Sequence, residues 1–452
     1  MGGASNTMGG PGVNPDDPER PFRDAILADP ADDTPRLVYA DVLSERGDPR
    51  GELIVVQIQR ERLEREGRRA SAEYRRLRRR EAELTGKRIG FQTYAERKTR
   101  GFTSQLWIGP SALRGRWGQF RNEPLEWITF QHDYGPVPEL ADLAWLKRQP
   151  EAARLRMIGL QTQTGSVSLD AATLAPPDES TLAWPDGLPP DPSLEPAVRR
   201  LHFHDWRPAF GPFIGRVASD LVELSVSGAP AADLLARIES LQKLSAWLEP
   251  EVAFTLLDAM QLPALRDLAL QGHAKKSLGA EGGARLARSR VLPALTSLVA
   301  DVPLDDVLAE ALGPTKLEVL SPGLGVTEAG LRVFGESELP ARLRWLGLTN
   351  RGAVTYARAV AEAPFERLES LKLEGFVIDE ASAELFASHR GLAGLVDFKL
   401  TLCTMKPAAA QLLVRSPFLQ HLIEPKFTQC RLTRETEDIL RERWPDAGFF
   451  AA

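Results

Sequence analysis

The feature that most constrains this chain is a six-residue phrase, apolar-x-x-apolar-x-apolar, that returns along most of its 452 residues. It reads LEWITF from Leu125, LRMIGL from Leu155, VRRLHF from Val198, LVELSV from Leu221 and LRDLAL from Leu265. It returns as LRWLGL from Leu343, LESLKL from Leu368 and LVDFKL from Leu395, with weaker copies LTSLVA from Leu295 and LEVL from Leu317. Inside the phrase, apolar residues alternate with others at the period of a strand that has one buried face. Helix-like stretches such as VTYARAVAEAP (Val354 to Pro364) and DEASAELFASHRG (Asp379 to Gly391) separate the phrases. A unit of this size cannot bury its apolar face alone, whereas stacked units share one continuous core.

The phrase, returning at roughly 22 to 30 residues in the later copies, resembles the leucine-rich repeats of ribonuclease-inhibitor-like proteins. LVDFKLTLC fits the longer form of that signature, with Cys403 at its Asn/Cys position. The resemblance implies an α/β fold: a horseshoe with a parallel concave sheet and helices on the convex side, expected over residues 100–432. It implies a small buried role for Cys403. One interruption, Thr164 to Pro196, carries seven prolines and reads as a Pro-rich insertion or a linker between repeat blocks. TRETEDILRERWPDAGFF, from Thr433, reads as a capping helix over residues 433–452.

The chain before residue 100 has a different grammar. Residues 1–19 carry no periodic pattern and read as a disordered tail, and 20–99 as a small all-helical domain. Proline is tolerated at the first helical position, where no backbone N–H is needed, and Arg20-Pro21, Thr34-Pro35 and Asp48-Pro49 each open a helix on this rule. Gly47 follows the second helix as a natural C′ residue, and Gly67 splits the arginine-rich stretch after it. Asp33 and Asp48 fall at helix N-termini, where negative charge offsets the dipole. Val38 with Val42, and Tyr39 with Leu43, are four apart and predict a buried stripe. Asp41 lies among Leu37, Val38, Ala40 and Val42, so it is expected to be buried beside Arg36, Arg46 or Arg50. Val56, Leu63, Ala70, Leu77 and Leu84 recur every seven residues.

The segment FRDAILADPADDTPRLVYADVLSERGDPRGELIVVQ, Phe22 to Gln57, resembles the signature of a bacterial repeat-companion domain that precedes repeat arrays. The resemblance rests on Ile26-Leu27-Ala28-Asp29-Pro30, on Arg36-Leu37-Val38-Tyr39-Ala40-Asp41 and on Glu45-Arg46-Gly47-Asp48-Pro49-Arg50-Gly51-Glu52. The sequence departs at Val42, where the family has Trp, and at Leu53, where it has Phe. It implies an architecture and no reaction.

Composition excludes several classes. A net charge of −6 argues against bulk nucleic-acid or anionic-membrane binding. Two cysteines, Cys403 and Cys430, cannot build a disulfide framework, which points to a reducing compartment. Apolar runs such as LIVVQI (Leu53 to Ile58) fall far short of the roughly 20 residues of a spanning helix, and the first residues have no basic-then-apolar leader. A cytoplasmic location is expected. There is no Gly-x-Ser-x-Gly elbow, Walker loop, His-Glu-x-x-His or Gly-x-Gly-x-x-Gly, and the aspartates near the N-terminus lack calcium-loop spacing.

Candidate binding residues occupy the x positions of the phrase, which face the concave side: Trp127, Arg200, His202, Trp345, Lys372 and Lys399, with His204 two residues after His202. Large aromatics there are typical interface anchors. His202 and His204 could begin a zinc site, but no further ligand is visible, and no metal or cofactor is expected. Residues 60–80 hold ten arginines and four glutamates; Arg68, Arg69, Arg75, Arg76 and Arg79 are the candidate polyanion contacts, set against a plain solvated face with one interleaved aromatic, Tyr74. The expectation is a monomeric, non-catalytic scaffold binding a protein partner through the concave face. RNA or polyanion binding through 60–80, or an enzyme using the Asp/Arg-rich N-terminal domain, are the alternatives.

Overall fold

The computed structural model describes residues 18–68, 71–85, 94–120, 123–130, 145–161, 165–170, 198–203, 210–228, 230, 232–273, 276–350, 356–419, 422, 425–445 and 447–450. The chain divides into two compact units, one of residues 1–66 with 77–199 and the other of 67–76 with 200–452.

The first unit opens with helices α1 (Arg20–Ala28), α2 (Thr34–Glu45) and α3 (Pro49–Arg65), followed by α4 (Ala72–Thr85), of which residues 77–85 belong to this unit. Each of the first three carries proline in its first turn, as expected. The Asp48 carboxylate caps α3 by accepting from the Arg50 N–H, and Gly47 and Gly67 take positive φ where α2 and α3 end. Glu19, assigned by sequence to the tail, is part of the fold: its carboxylate accepts from the Tyr39 hydroxyl at 2.5 Å. Burial, with that bond second, pushes the Tyr39 phenol up to about 12.

Tyr39, Ala40 and Leu43 of α2 pack with Ile26, Ile54, Ile58 and Phe102. The expected stripe was half right. Tyr39 and Leu43 are buried, but Leu37 and Val38 are exposed. The face beside Tyr39 is completed by Arg36, which is buried, donates to the Asp32 carbonyl at 2.9 Å and lies over the Phe102 ring. Asp41 is therefore on the outside and exposed, not buried as its apolar neighbours suggested.

The last residues of the expected helical segment form a strand. β1 (Tyr94–Thr99) and β2 (Phe102–Ile108) make an antiparallel hairpin. At its tip Arg100 and Gly101 both have positive φ, and a Cβ on Gly101 would come within 2.2 Å of Ile54. That close approach puts Phe102 into the helical core. β3 (Trp127–Phe130) and β4 (Met157–Gln161) continue in parallel, and β5 (Gly165–Asp170) pairs antiparallel with β4. β5 is an ordered piece of the Pro-rich interruption; residues 171–197 lie outside the described residues.

The second unit has the architecture of a leucine-rich-repeat protein. Its strands are β6 (Val198–Phe203), β7 (Glu223–Gly228), β8 (Lys243–Leu248), β9 (Asp267–Gly272), β10 (Ser297–Ala300), β11 (Val319–Pro322), β12 (Trp345–Thr349) and β13 (Ser370–Glu374). β15 (Asp397–Thr401), β17 (Lys426–Thr428) and β18 (Gly448–Phe450) complete the sheet, while β14 (Val377–Ile378) and β16 (Thr404–Met405) pair separately. Neighbours pair in parallel, each strand with the next repeat's. Leu224, Leu244, Leu268, Leu298, Leu320, Leu346, Leu371 and Phe398 form one in-register row, none more than 3% exposed.

Four of the helices between the strands start at a capping Asp or Thr; Asp379 accepts from Ser382 N–H at 2.9 Å, and Thr433 from Thr436 N–H at 3.2 Å. The Thr433 cap opens the helix expected there, Arg434–Arg443, but β18 follows it and extends the sheet. After β13, β15 and β17 the chain makes the same left-handed turn at Gly375, Leu402 and Gln429. Only at the first is glycine compulsory, since a Cβ there would come 2.2 Å from the Asn350 carbonyl oxygen.

Each leucine in the row is buried by the repeats on both sides, so its removal should be felt along the stack. Leu371→Ala should lower unfolding free energy by about 2–5 kcal/mol in urea titration. Lys372→Ala, one residue away on the other face, should change it by less than about 1 kcal/mol. Equal losses for the two would contradict this orientation of the strands.

Candidate interaction surface

The strands of the second unit turn alternate side chains away from the buried row, as their burial patterns show. These side chains make rows across the sheet at a spacing of roughly 4.8 Å. One row runs Arg200, Glu223, Lys243, Asp267, Ser297, Val319, Trp345, Ser370, Asp397. It neutralises itself at its start, where Glu223 meets Arg200 at 3.5 Å and Lys243 at 2.8 Å. The adjacent row begins with His202, Ser225, Ser245, Ala269 and Val299. Further along it holds Lys372, Lys399 and Lys426 in direct register. Glu374 pairs with Lys372 at 3.1 Å, whereas Lys399 and Lys426 make no ion pair among the described residues. Like charges opposed across strands are destabilising, so this row is a surplus of positive charge that the fold itself does not require.

Trp345 borders that surplus. It is half-buried, and a Cβ added at Gly347 would come 2.6 Å from its ring. The indole thus lies along its own strand over Gly347, which leaves the space for it. On a neighbouring row Trp247 is fixed by donating its indole N–H to Gln271 at 2.8 Å.

The residues singled out from sequence fall into separate places. Trp345, Lys372 and Lys399 stand on β12, β13 and β15, which are successive strands of the sheet. Arg200 and His202 stand on β6, six inter-strand steps or ~29 Å from β12 along the sheet. Trp127 is on β3 of the first unit, in register with Gln105 and Met157. His204 lies outside the described residues, and among those described no three His, Cys, Asp or Glu side chains are placed to hold a metal ion. Lys426 was missed: Pro425 breaks its phrase. The signal was the spacing, because lysines recur at 372, 399 and 426, 27 residues apart each time.

The arginine-rich stretch is partly spent on its own fold. Arg80 makes a two-pronged bond to Glu52 at 2.6 and 2.8 Å and another to Glu83, and Arg60 meets Glu81 at 2.7 Å. Arg68 reaches Glu73 at 3.2 Å. Arg76 and Arg79 are exposed without an ion pair among the described residues; Arg69 and the side chain of Arg75 lie outside them.

The carboxylates near the N-terminus have structural partners. Arg100, at the hairpin tip, grips both Glu61 oxygens at 2.7 Å and approaches Asp33 at 3.2 Å. Gln57 accepts from the Gly101 N–H at 2.6 Å and donates to Glu81 at 2.7 Å. The Arg100 hydrogen bonds hold the Glu61 carboxyl below its ordinary 4.5, against the opposing effect of burial. Asp41 takes no part in these contacts and is exposed.

No family model and no curated protein matches this chain. Among solved structures, a protein from Bacteroides fragilis aligns with 17% identity over 52% of this chain and 66% of its own, with a TM-score of 0.32. A leucine-rich-repeat protein of Leptospira interrogans aligns with 12% identity over 76% of this chain and 89% of its own, with a TM-score of 0.29. The chain thus spans about two thirds of the length of the first.

The Glu61–Arg100 pair carries a pH signature. Because the unfolded chain takes up the Glu61 proton at a higher pH than the folded one, the stabilisation is complete above about pH 4.5 and is lost as pH falls through the folded value. Glu61→Gln should cost about 1–2 kcal/mol at pH 7 and flatten the fall of the urea midpoint below pH 4.5. Asp41→Asn, on the exposed face of α2, should leave the unfolding free energy at pH 7 within about 0.5 kcal/mol of the unmodified protein. A flat profile in the unmodified protein would show that the pair contributes no linkage.

Proposed function

We propose that this chain is a non-catalytic scaffold and that the open face of its second unit binds a protein partner, with Trp345, Lys372, Lys399 and Lys426 at the contact. One observation carries the reading: an aromatic side chain and a lysine row, of which Lys399 and Lys426 have no ion pair among the described residues, stand on neighbouring strands of a face that the repeats leave uncovered. A face that only needed to be soluble would alternate its charges, as the Arg200–Glu223–Lys243 end does. The lysines favour a partner surface that presents carboxylates, and Trp345 supplies apolar area that costs little entropy to order. Arg200 and His202 would contact only a partner long enough to cross the sheet.

In the same reading the first four helices are a repeat-companion domain, with Asp33 and Arg46 serving the Arg100 and Glu19 contacts rather than a reaction. The protein works in the cytoplasm as a monomer. Polyanion binding is the weaker reading, because Arg60, Arg68 and Arg80 are already paired and the reading would rest on Arg76 and Arg79.

The test uses the full chain. A partner captured from the native host should be purified and its affinity measured. Trp345→Ala and the double change Lys399→Glu with Lys426→Glu should each weaken it about tenfold or more. Arg358→Glu, on a helix between the strands, should leave it unchanged. Equal affinities for all the folded variants would exclude the open face as the binding surface.

A further inference from the structure

The two cysteines are 27 residues apart and occupy the same place in successive repeats. Thr401 is in register with Thr428, Thr404 bridges Arg431, and the Arg431 N–H donates to the Cys403 carbonyl at 2.8 Å. Cys430 is thereby stacked directly on Cys403, at the inter-strand spacing of roughly 4.8 Å, within the Cα separation that disulfides adopt. Their side chains point the same way. Each thiol lies against the carbonyl two residues before it, Thr401 at 3.3 Å and Thr428 at 3.6 Å. Each also lies 3.4 Å from a carbonyl of the preceding repeat, that of Leu373 or Leu400. Cys403 is fully buried and Cys430 is partly exposed.

We propose that this pair is a thiol-oxidation site, in which a hydroperoxide oxidises Cys430 and Cys403 resolves the product as a disulfide that ties two successive repeats together. The asymmetry supports the order of events. The neighbouring Cys403 thiol favours the thiolate at Cys430, and the Cys430 sulfur together with burial keeps Cys403 protonated. In the first step the Cys430 thiolate attacks the peroxide O–O bond, giving a sulfenic acid, and the departing oxygen leaves as water after taking up a proton. In the second, the Cys403 sulfur displaces the hydroxyl, and its own proton leaves with that hydroxyl as a second water. Two thiols are oxidised and one hydroperoxide is reduced. A small dithiol reverses the bond by exchange.

The experiment treats the reduced full chain with hydrogen peroxide, then quantifies thiols in denaturant and maps peptides without reduction. Both thiols should disappear together, the intact mass should fall by two hydrogens, and a peptide joining Cys403 to Cys430 should appear and be lost on adding dithiothreitol. Cys403→Ser should leave Cys430 as a sulfenic acid that dimedone captures, while Cys430→Ser should leave Cys403 reduced. The wild-type map needs neither variant to fold. Dimedone capture in the wild type without the joined peptide, independent loss of the two thiols, a disulfide between two chains, or no reaction at all would each overturn the proposal.

Discussion

Everything in the second unit depends on one constraint: a leucine side chain is buried only if the next repeat arrives in register. The strands are two to six residues long, too short to be stable singly, and their parallel pairing offers no tight hairpin to hold them. What fixes register is the row from Leu224 to Phe398, because a slip of one residue would turn every buried leucine to solvent and every lysine inward. The polar side chains of the open face inherit their alignment from this row. Lys372, Lys399 and Lys426 stand in line because Leu373, Leu400 and Phe427 do, and not because lysines attract one another.

That dependence also separates function from stability more cleanly than in a compact enzyme. Residues on one side of each strand answer to packing and those on the other answer to whatever touches the sheet. The exceptions are informative. Gly347 is on the open side yet is constrained, because the Trp345 ring occupies the space a side chain would need. Trp247 is on the open side yet is anchored by Gln271. Both indoles are held in place before any partner arrives, which lowers the entropy cost of using them.

Where the sequence was legible, it was because period and burial coincide. The strand phrases from Leu125 to Leu395 all lie in or just before strands. β8 was overlooked because its phrase, LQKLSA from Leu241, ends in alanine, which is buried as fully as the leucines around it. β17 was overlooked because Pro425 interrupts its phrase. In the helices at the N-terminus, proline and glycine marked the boundaries well, since those residues act on the backbone locally. The faces were less legible. Asp41 is expected inside because its neighbours are apolar, whereas the inward position belongs to Arg36, whose guanidinium donates to the Asp32 carbonyl one turn back and lies over the ring of Phe102, which comes from a distant strand. No local pattern announces a partner that far away. The lysine line was present in the sequence as a 27-residue recurrence, but a recurrence of polar residues has meaning only after the register is known.

The hairpin tip has a consequence for where the first domain ends. Phe102 is at once a residue of β2 and a member of the core shared by α1, α2 and α3, and Arg100 and Gly101 complete the hydrogen bonding of Glu61 and Gln57. A boundary drawn at residue 99, where the helical signature gives way to repeat phrases, cuts between a side chain and the cavity it fills. The helices and the first strands therefore share one core, and a cut at residue 99 would leave Ile26, Tyr39 and Ile54 without the ring that covers them.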